Sequence, residues 1–233
     1  MKLIICAGPP TSGKTTVIRQ AMRRLVSKGH KPAFLKVDVQ YADEDEIMKA
    51  EFRIPARKVY SGDLCPDHCT VLVLGEAVKW AEGENCGMLI VETAGLCLRC
   101  APYIKGSLGV AVLEATSGIN LPKKLGPILS LANMAIVTKI DLVSQAEREV
   151  FLSNILDVAR VGVIETDALH GINIDRLVQK IEEAEEIQGP LELKGNPPLG
   201  TCTICVGKKE IGWKGHFGIV RSLDSPDLFY RGE

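Results

Sequence analysis

One eight-residue segment near the start of the chain limits the possible folds more than any other feature. Gly8-Pro9-Pro10-Thr11-Ser12-Gly13-Lys14-Thr15 fits the pattern G-x-x-x-x-G-K-[ST]. An apolar run, KLIICA at 2–7, precedes it. Residues 14–28 follow with Val17, Ile18, Ala21, Met22, Leu25 and Val26 at helical spacing, closed by Gly29. A buried strand, a glycine loop and a helix in that order are the context that gives this motif its meaning. The glycines let the backbone curl until its N–H groups face phosphates, and the helix N-terminus adds partial positive charge. Lys14 is then placed to reach the β- and γ-phosphates, and Thr15 to hold Mg²⁺ through its hydroxyl. Gly8, Pro9, Thr11, Ser12, Gly13 and Thr16 complete the expected cradle.

The chain goes on alternating. Strand-like apolar runs lie at 32–38, 87–92, 110–113, 134–137 and 161–164, and helical patterns at 67–82, 143–158 and 173–187. Such alternation predicts a mostly parallel sheet between helical layers, a three-layer α/β P-loop NTPase. It stops near Gln188. The expected organisation is therefore a nucleotide-binding domain over 1–188, a Gly/Pro-rich linker over 189–200, and a short C-terminal extension over 201–233 that carries a C-x-x-C motif. A length of 233 residues suits one large domain with an appendage.

Acidic residues close two of the strands. Asp38 follows FLKV and Glu92 follows MLIV, so both emerge at the carboxyl edge of the sheet, where parallel sheets bind ligands. With Thr15 they form the expected Mg²⁺ set; with Lys14 they form the expected catalytic set, either carboxylate being able to position the attacking water. Thr138-Lys139-Ile140-Asp141 follows the strand MAIV and has the form that reads guanine. Asp141 would accept from the guanine N1–H and 2-amino group, a donor pair that adenine lacks, and the Lys139 stem would stack on the ring. Ala168 and Leu169, after the strand-like VGVIET, are expected to offer a backbone contact to the guanine carbonyl.

The eight cysteines are unevenly placed, six of them in three close pairs: Cys65 with Cys69, Cys97 with Cys100, and Cys202 with Cys205. Paired thiols in a reducing compartment point to metal or redox work rather than to disulfides. Cys97 and Cys100 form a C-x-x-C five positions past Glu92, so one turn of chain offers two thiolates to a soft cation. A symmetric dimer would offer four, a number that suits Zn²⁺, Ni²⁺ or a bridging iron–sulfur cluster. Cys65, His68 and Cys69 are expected to form a second set nearby. Cys202 and Cys205 form a third, in the extension. Cys6 and Cys86 read as small buried hydrophobes.

Charge and hydropathy narrow the partners. Lys plus Arg number 28 and Asp plus Glu 29, for a net charge of −1. That balance gathers no polyanion, so neither nucleic acid nor an anionic membrane is expected as a partner. No apolar run approaches the ~20 residues that span a bilayer, and the expectation is a cytoplasmic protein.

These motifs together resemble the metallochaperone NTPases grouped as HypB, UreG and CobW, with the likeness to the hydrogenase nickel-insertion GTPases (HypB) strongest over about 2–187. The family's E-x-x-G switch corresponds to Glu92-Thr93-Ala94-Gly95. Its Asp after the second strand corresponds to Asp38, followed here by the acidic stretch Asp43-Glu44-Asp45. Its Gly-x-x-Cys corresponds to Gly62-Asp63-Leu64-Cys65, and its Cys-Pro has a near match in Cys100-Ala101-Pro102. The resemblance implies a GTPase that dimerises with nucleotide and delivers Ni²⁺ to an enzyme under maturation. The chain departs from the family pattern in Pro66, which stands where His follows the first Cys, and in Thr138, which replaces Asn. Two other readings follow from the same motifs. One is an ATP-dependent carrier or reductase with a dimer-bridging iron–sulfur cluster. The other is a small-molecule kinase, which the cysteine pairing disfavours.

Overall fold

The computed structural model describes residues 1–95, 101–195, 211–216, 218–225 and 227–231. Seven strands make one sheet: β1 (Lys2–Ala7), β2 (Pro32–Asp38), β3 (Ala56–Tyr60), β4 (Met88–Thr93), β5 (Leu108–Glu114), β6 (Met134–Thr138) and β7 (Gly162–Glu165). Their order is β3-β2-β4-β1-β5-β6-β7, and every pairing is parallel. The helices are α1 (Lys14–Ser27), α2 (Glu44–Phe52), α3 (Pro66–Gly83), the short α4 (Leu121–Lys124) and α5 (Pro127–Ser130), α6 (Gln145–Val158) and α7 (Ile174–Glu183). The expected α/β architecture is the observed one.

Both sheet faces are covered, which explains why the strands read as continuous apolar runs. Ile4, Phe34, Ile90 and Val112 pack with α1, α2 and α7 on one face; their chain neighbours Leu3, Leu35, Leu89 and Ala111 pack with α3 and α6 on the other. Helix ends follow local chemistry. Pro66 takes the first turn of α3, where its missing N–H costs nothing. Ser144 caps α6 in a reciprocal box with Glu147. Helix α7 ends at Glu183, short of the expected 187, because the chain turns to bridge Glu186 to Lys2 at the start of β1.

The C-terminal part differs from a linker with a separate tail. Leu193 pairs with Ile104 and is buried in the core, and the Lys194 N–H donates to the Tyr103 carbonyl at 2.8 Å. Farther on, β8 (Gly218–Val220) and β9 (Phe229–Arg231) form a small antiparallel pair. Trp213 Nε1 and the Leu223 N–H both donate to the Glu76 carboxylate of α3, at 2.6 and 2.7 Å. Val220 and Leu223 join the main core cluster. The described tail is thus an outer layer over α3. Among the described residues no helix is long and apolar enough to cross a membrane.

Candidate functional site

The phosphate loop joins β1, the central strand, to α1. Gly13 enters the helix with φ of 85°, a left-handed conformation that glycine adopts at little cost. A Cβ on Gly8 would stand 2.0 Å from the Val112 carbonyl oxygen, so β5 leaves room there for hydrogen alone. Lys14 is buried, and its Nζ donates to the Gly8 and Pro9 carbonyls at 3.0 and 2.9 Å. Burial lowers its ammonium below the usual lysine range; Lys36 adds to the effect and Glu92 opposes it.

The acidic strand ends meet the loop as expected. Glu92 sits in β4, next to β1, and its Oε1 accepts the Thr15 hydroxyl at 2.8 Å. Asp38 closes β2, the next strand out. Lys14, Thr15, Thr16, Asp38 and Glu92 all line one cavity of about 440 Å³, together with Thr11 and Gly13. Glu92 Oε2 is buried with no hydrogen-bond partner among the described residues. This orphaned oxygen and the Thr15 hydroxyl beside it are the donor set a hard cation takes, so the residues present fit Mg²⁺.

Two further side chains of the site escaped the sequence reading. Lys36, in β2, lies in register with Glu92 and reaches its Oε1 at 2.7 Å. It also reaches Glu44 at 2.9 Å and Asp38 at 3.3 Å. The available signal was a single charge inside the apolar strand PAFLKVD, two residues before Asp38 and hence on the same face. Glu114, at the end of β5, accepts from Thr11 at 3.3 Å and Ser117 at 2.5 Å, and pairs with Lys139. Burial works against its carboxylate, but the hydrogen bonds from Lys139 and Ser117 outweigh this and hold it below the usual range.

Of the residues expected to read the base, Thr138 is buried and turned toward the loop, its hydroxyl 2.7 Å from the Ser12 carbonyl. It holds the loop from beneath. Asp141 and Leu169 are exposed and Ala168 is buried. The Leu169 carbonyl accepts from Gln20 of α1 at 3.1 Å, and the Asp167 carboxylate takes the N–H groups of Leu169 and His170, which shapes the turn.

The E-x-x-G segment is held at each of its four positions. Glu92 binds Thr15 and Lys36, and Thr93 donates to the buried Asp67 Oδ1 at 2.8 Å. The Ala94 N–H donates to the Val37 carbonyl at 3.0 Å. Gly95, at φ 64°, lies so close to Gly8 that a Cβ would stand 2.0 Å from the Gly8 carbonyl oxygen.

The expected sulfur sets fare unevenly. Cys97, Cys100, Cys202 and Cys205 lie outside the described residues. Cys65 stands at the N-cap position of α3, while Cys69, in the first turn of that helix, is fully buried in the core. Burial pushes the Cys69 thiol up to about 12, against a small opposing pull from Arg221. The His68 ring packs edge-on against His216 of the tail at 5.3 Å. Burial, then the neighbouring His216, lowers His68 to about 4. Among the described residues no three His, Cys, Asp or Glu side chains are grouped to hold a metal, so Cys65, His68 and Cys69 are not assembled as a set. Their i, i+3, i+4 spacing sets them on one side of the helix, but the core takes the Cys69 side chain and the His216 ring covers His68. Cys6 and Cys86 are buried, as expected.

The comparisons with known proteins bear on this geometry. The family model for the CobW/HypB/UreG nucleotide-binding domain matches residues 2–164. The chain belongs to the CobW/HypB/UreG family. One relative, "Uncharacterized protein MJ0120" of Methanocaldococcus jannaschii, is 42% identical over 236 residues, covering 100% of both chains. Urease accessory protein UreG 2 of Streptomyces griseus subsp. griseus is 26% identical over 195 residues, 77% of this chain and 86% of that one. Hydrogenase maturation factor HypB of Azotobacter chroococcum is 28% identical over 142 residues, 60% of this chain but only 45% of its own length. Among solved structures, HypB of Archaeoglobus fulgidus superposes with a TM-score of 0.64 at 20% identity, covering 78% of this chain and 89% of that one. HypB of Helicobacter pylori, solved in complex with nickel, gives 0.64 at 15% identity, covering 81% and 91%. At such identities these structures speak for the fold alone. The P-loop NTPase fold and the family stand as expected.

Proposed function

We propose that the chain is a GTP-dependent metallochaperone. It binds a soft cation, Ni²⁺ or Zn²⁺, through cysteines that follow its E-x-x-G segment, and passes the ion to an enzyme under maturation. GTP is bound by residues 8–16, by Thr138, Lys139 and Asp141, and by the Ala168–Leu169 turn. Mg²⁺ would be held by Thr15, Glu92 and Asp38, and it would supply positive charge against the phosphates. Lys14 neutralises the terminal phosphates, and Glu92 and Asp38 orient the water. No side chain comparable to an arginine finger is aimed into the cavity from the described residues, so turnover without a partner is slow. The working form is a nucleotide-dependent homodimer, and Cys97 and Cys100 of two copies supply four thiolates.

One observation carries this reading. The segment Glu92 to Gly95 is bonded to the Thr15 hydroxyl at one end, packs its Gly95 backbone against Gly8 at the other, and is bonded to Asp67 of α3 in between. Asp67 stands in the turn that begins at Cys65. A change at the terminal phosphate therefore bears directly on the chain leading to Cys97 and on the helix end beside Cys65, which is the coupling an order-changing switch needs. The test is metal content by mass spectrometry of anaerobically purified protein, with and without a non-hydrolysable GTP analogue. The Cys97→Ala/Cys100→Ala variant loses the bound transition metal. Equal metal in variant and wild type rejects the proposal, and visible absorbance of bound iron and sulfide supports a cluster carrier instead.

A further inference from the structure

The phosphate chemistry leaves Lys36 unused. Its side chain is 5% exposed and lines the cavity beside Lys14. One ammonium faces three carboxylates there: Glu92 at 2.7 Å, Glu44 at 2.9 Å and Asp38 at 3.3 Å. Two of the three, Glu92 and Asp38, are the acids read above as Mg²⁺ ligands. Burial opposes the charged form of Lys36, but the charge and hydrogen bonds of Glu92 and Glu44 outweigh this and raise the ammonium above the usual lysine range. A buried ion group of this kind returns little net stability, since desolvation consumes most of the attraction. An apolar side chain would pack an interior strand such as β2 at least as well. The group nevertheless keeps capacity for more positive charge, because Glu92 Oε2 and Glu44 Oε2 are both buried with no hydrogen-bond partner among the described residues.

We infer that Lys36 is a positioning residue, a tethered cation that holds Glu92, Glu44 and Asp38 together and bars a lone divalent ion from them. A divalent ion arriving alone must displace the ammonium and meets three acids already neutralised in part. An ion arriving with a triphosphate brings compensating negative charge for Lys36 and Lys14, so the exchange becomes favourable. Metal and nucleotide then load together. The acidic cluster is also kept from trapping free transition metal, which in a carrier of such ions would otherwise compete with the thiols. The inference rests on the Mg²⁺–triphosphate reading of the cavity, and the following experiment separates the two.

The probe is Mn²⁺, followed by its electron paramagnetic resonance signal, on the full chain without nucleotide and then with GTP. Wild-type protein takes up Mn²⁺ only with GTP. Lys36→Met binds Mn²⁺ alone at least about tenfold more tightly than wild type, as expected when a buried like charge beside the site is removed. Its thermal midpoint also rises on adding Mn²⁺ without nucleotide, whereas the wild-type midpoint does not. Should Lys36→Met fail to fold, Lys36→Gln/Glu44→Gln removes one charge of each sign at nearly constant shape and is expected to show the same gain. Tight Mn²⁺–GTP uptake by wild type with no gain for Mn²⁺ alone in either variant overturns the role of Lys36. Wild type that binds no Mn²⁺ even with GTP overturns the reading of the cavity itself.

Discussion

At the scale of single residues, the site depends on atoms that cannot move aside. Gly95 faces backbone, not a flexible side chain, and its φ of 64° is already unfavourable for other residues. Gly95→Ala should cost about 1–3 kcal/mol of stability for the conformation alone, read by urea denaturation. It should also weaken GTP binding measured by calorimetry, because Gly8 must shift. Unchanged binding would show that the two segments separate freely. Thr138→Val keeps the shape but leaves the Ser12 carbonyl without its 2.7 Å donor. The expected loss is about 1–3 kcal/mol, with Thr138→Ser restoring most of it; equal stability of all three proteins would deny Thr138 its bracing role. Both residues were visible in the sequence, Gly95 through E-x-x-G and Thr138 through the T-K-x-D pattern. The direction of the Thr138 hydroxyl was not visible, since a motif gives residue types at a strand end and not which neighbour each one faces. Lys36 was hidden for a related reason. Its partner Glu92 lies on a strand more than fifty positions away, and only the parallel register brings them side by side.

At the scale of elements, α3 shows that spacing along one side of a helix does not decide what each side chain meets. The sequence pattern located the helix over 67–82, within one residue of its observed ends, and read Cys65, His68 and Cys69 as one candidate metal set. Instead Cys69 enters the core and His68 meets the tail. With its thiol pushed up to about 12 and no exposed surface, Cys69 should resist maleimide at pH 7 in the folded protein and react in urea, as peptide mass spectrometry would report. Rapid native labelling would place it at the surface. His68 gives a pH dependence of definite sign. Its folded value, about 4, lies below the ordinary 6.5, so the unfolded chain binds the proton more readily. Its contribution is whole above about pH 6.5 and is lost as the pH falls toward 4, up to about 3 kcal/mol in all. In EDTA-treated protein, His68→Gln should flatten the decline of unfolding free energy between those limits. An identical slope in variant and wild type would mean that His68 titrates normally.

At the scale of the whole molecule, the alternation of strands and helices made the layered sheet legible, because burial on both faces leaves long apolar runs. The tail was not legible. The apolar residues that it brings to the core, among them Trp213, Val220 and Leu223, follow no single period, and they matter because α3 presents Glu76 and an apolar flank to receive them. Deleting 211–233 should therefore uncover core, at about 1.5–3 kcal/mol for each fully buried side chain. A midpoint lowered by several degrees in a thermal scan is expected, and an unaltered one would make the tail an appendage after all. The parallel sheet has a practical consequence as well. All seven strands run with their carboxyl ends toward the edge of the sheet that holds the nucleotide cavity, and the opposite rim carries turns and ion pairs such as Lys28 with Glu182. Lys31 and Gly87 are exposed on that rim, about 20 Å from the cavity at ~3.3 Å per strand residue. A fluorophore or a surface tether attached there would leave binding undisturbed, giving a fixed point from which distance changes at the opposite rim can be measured.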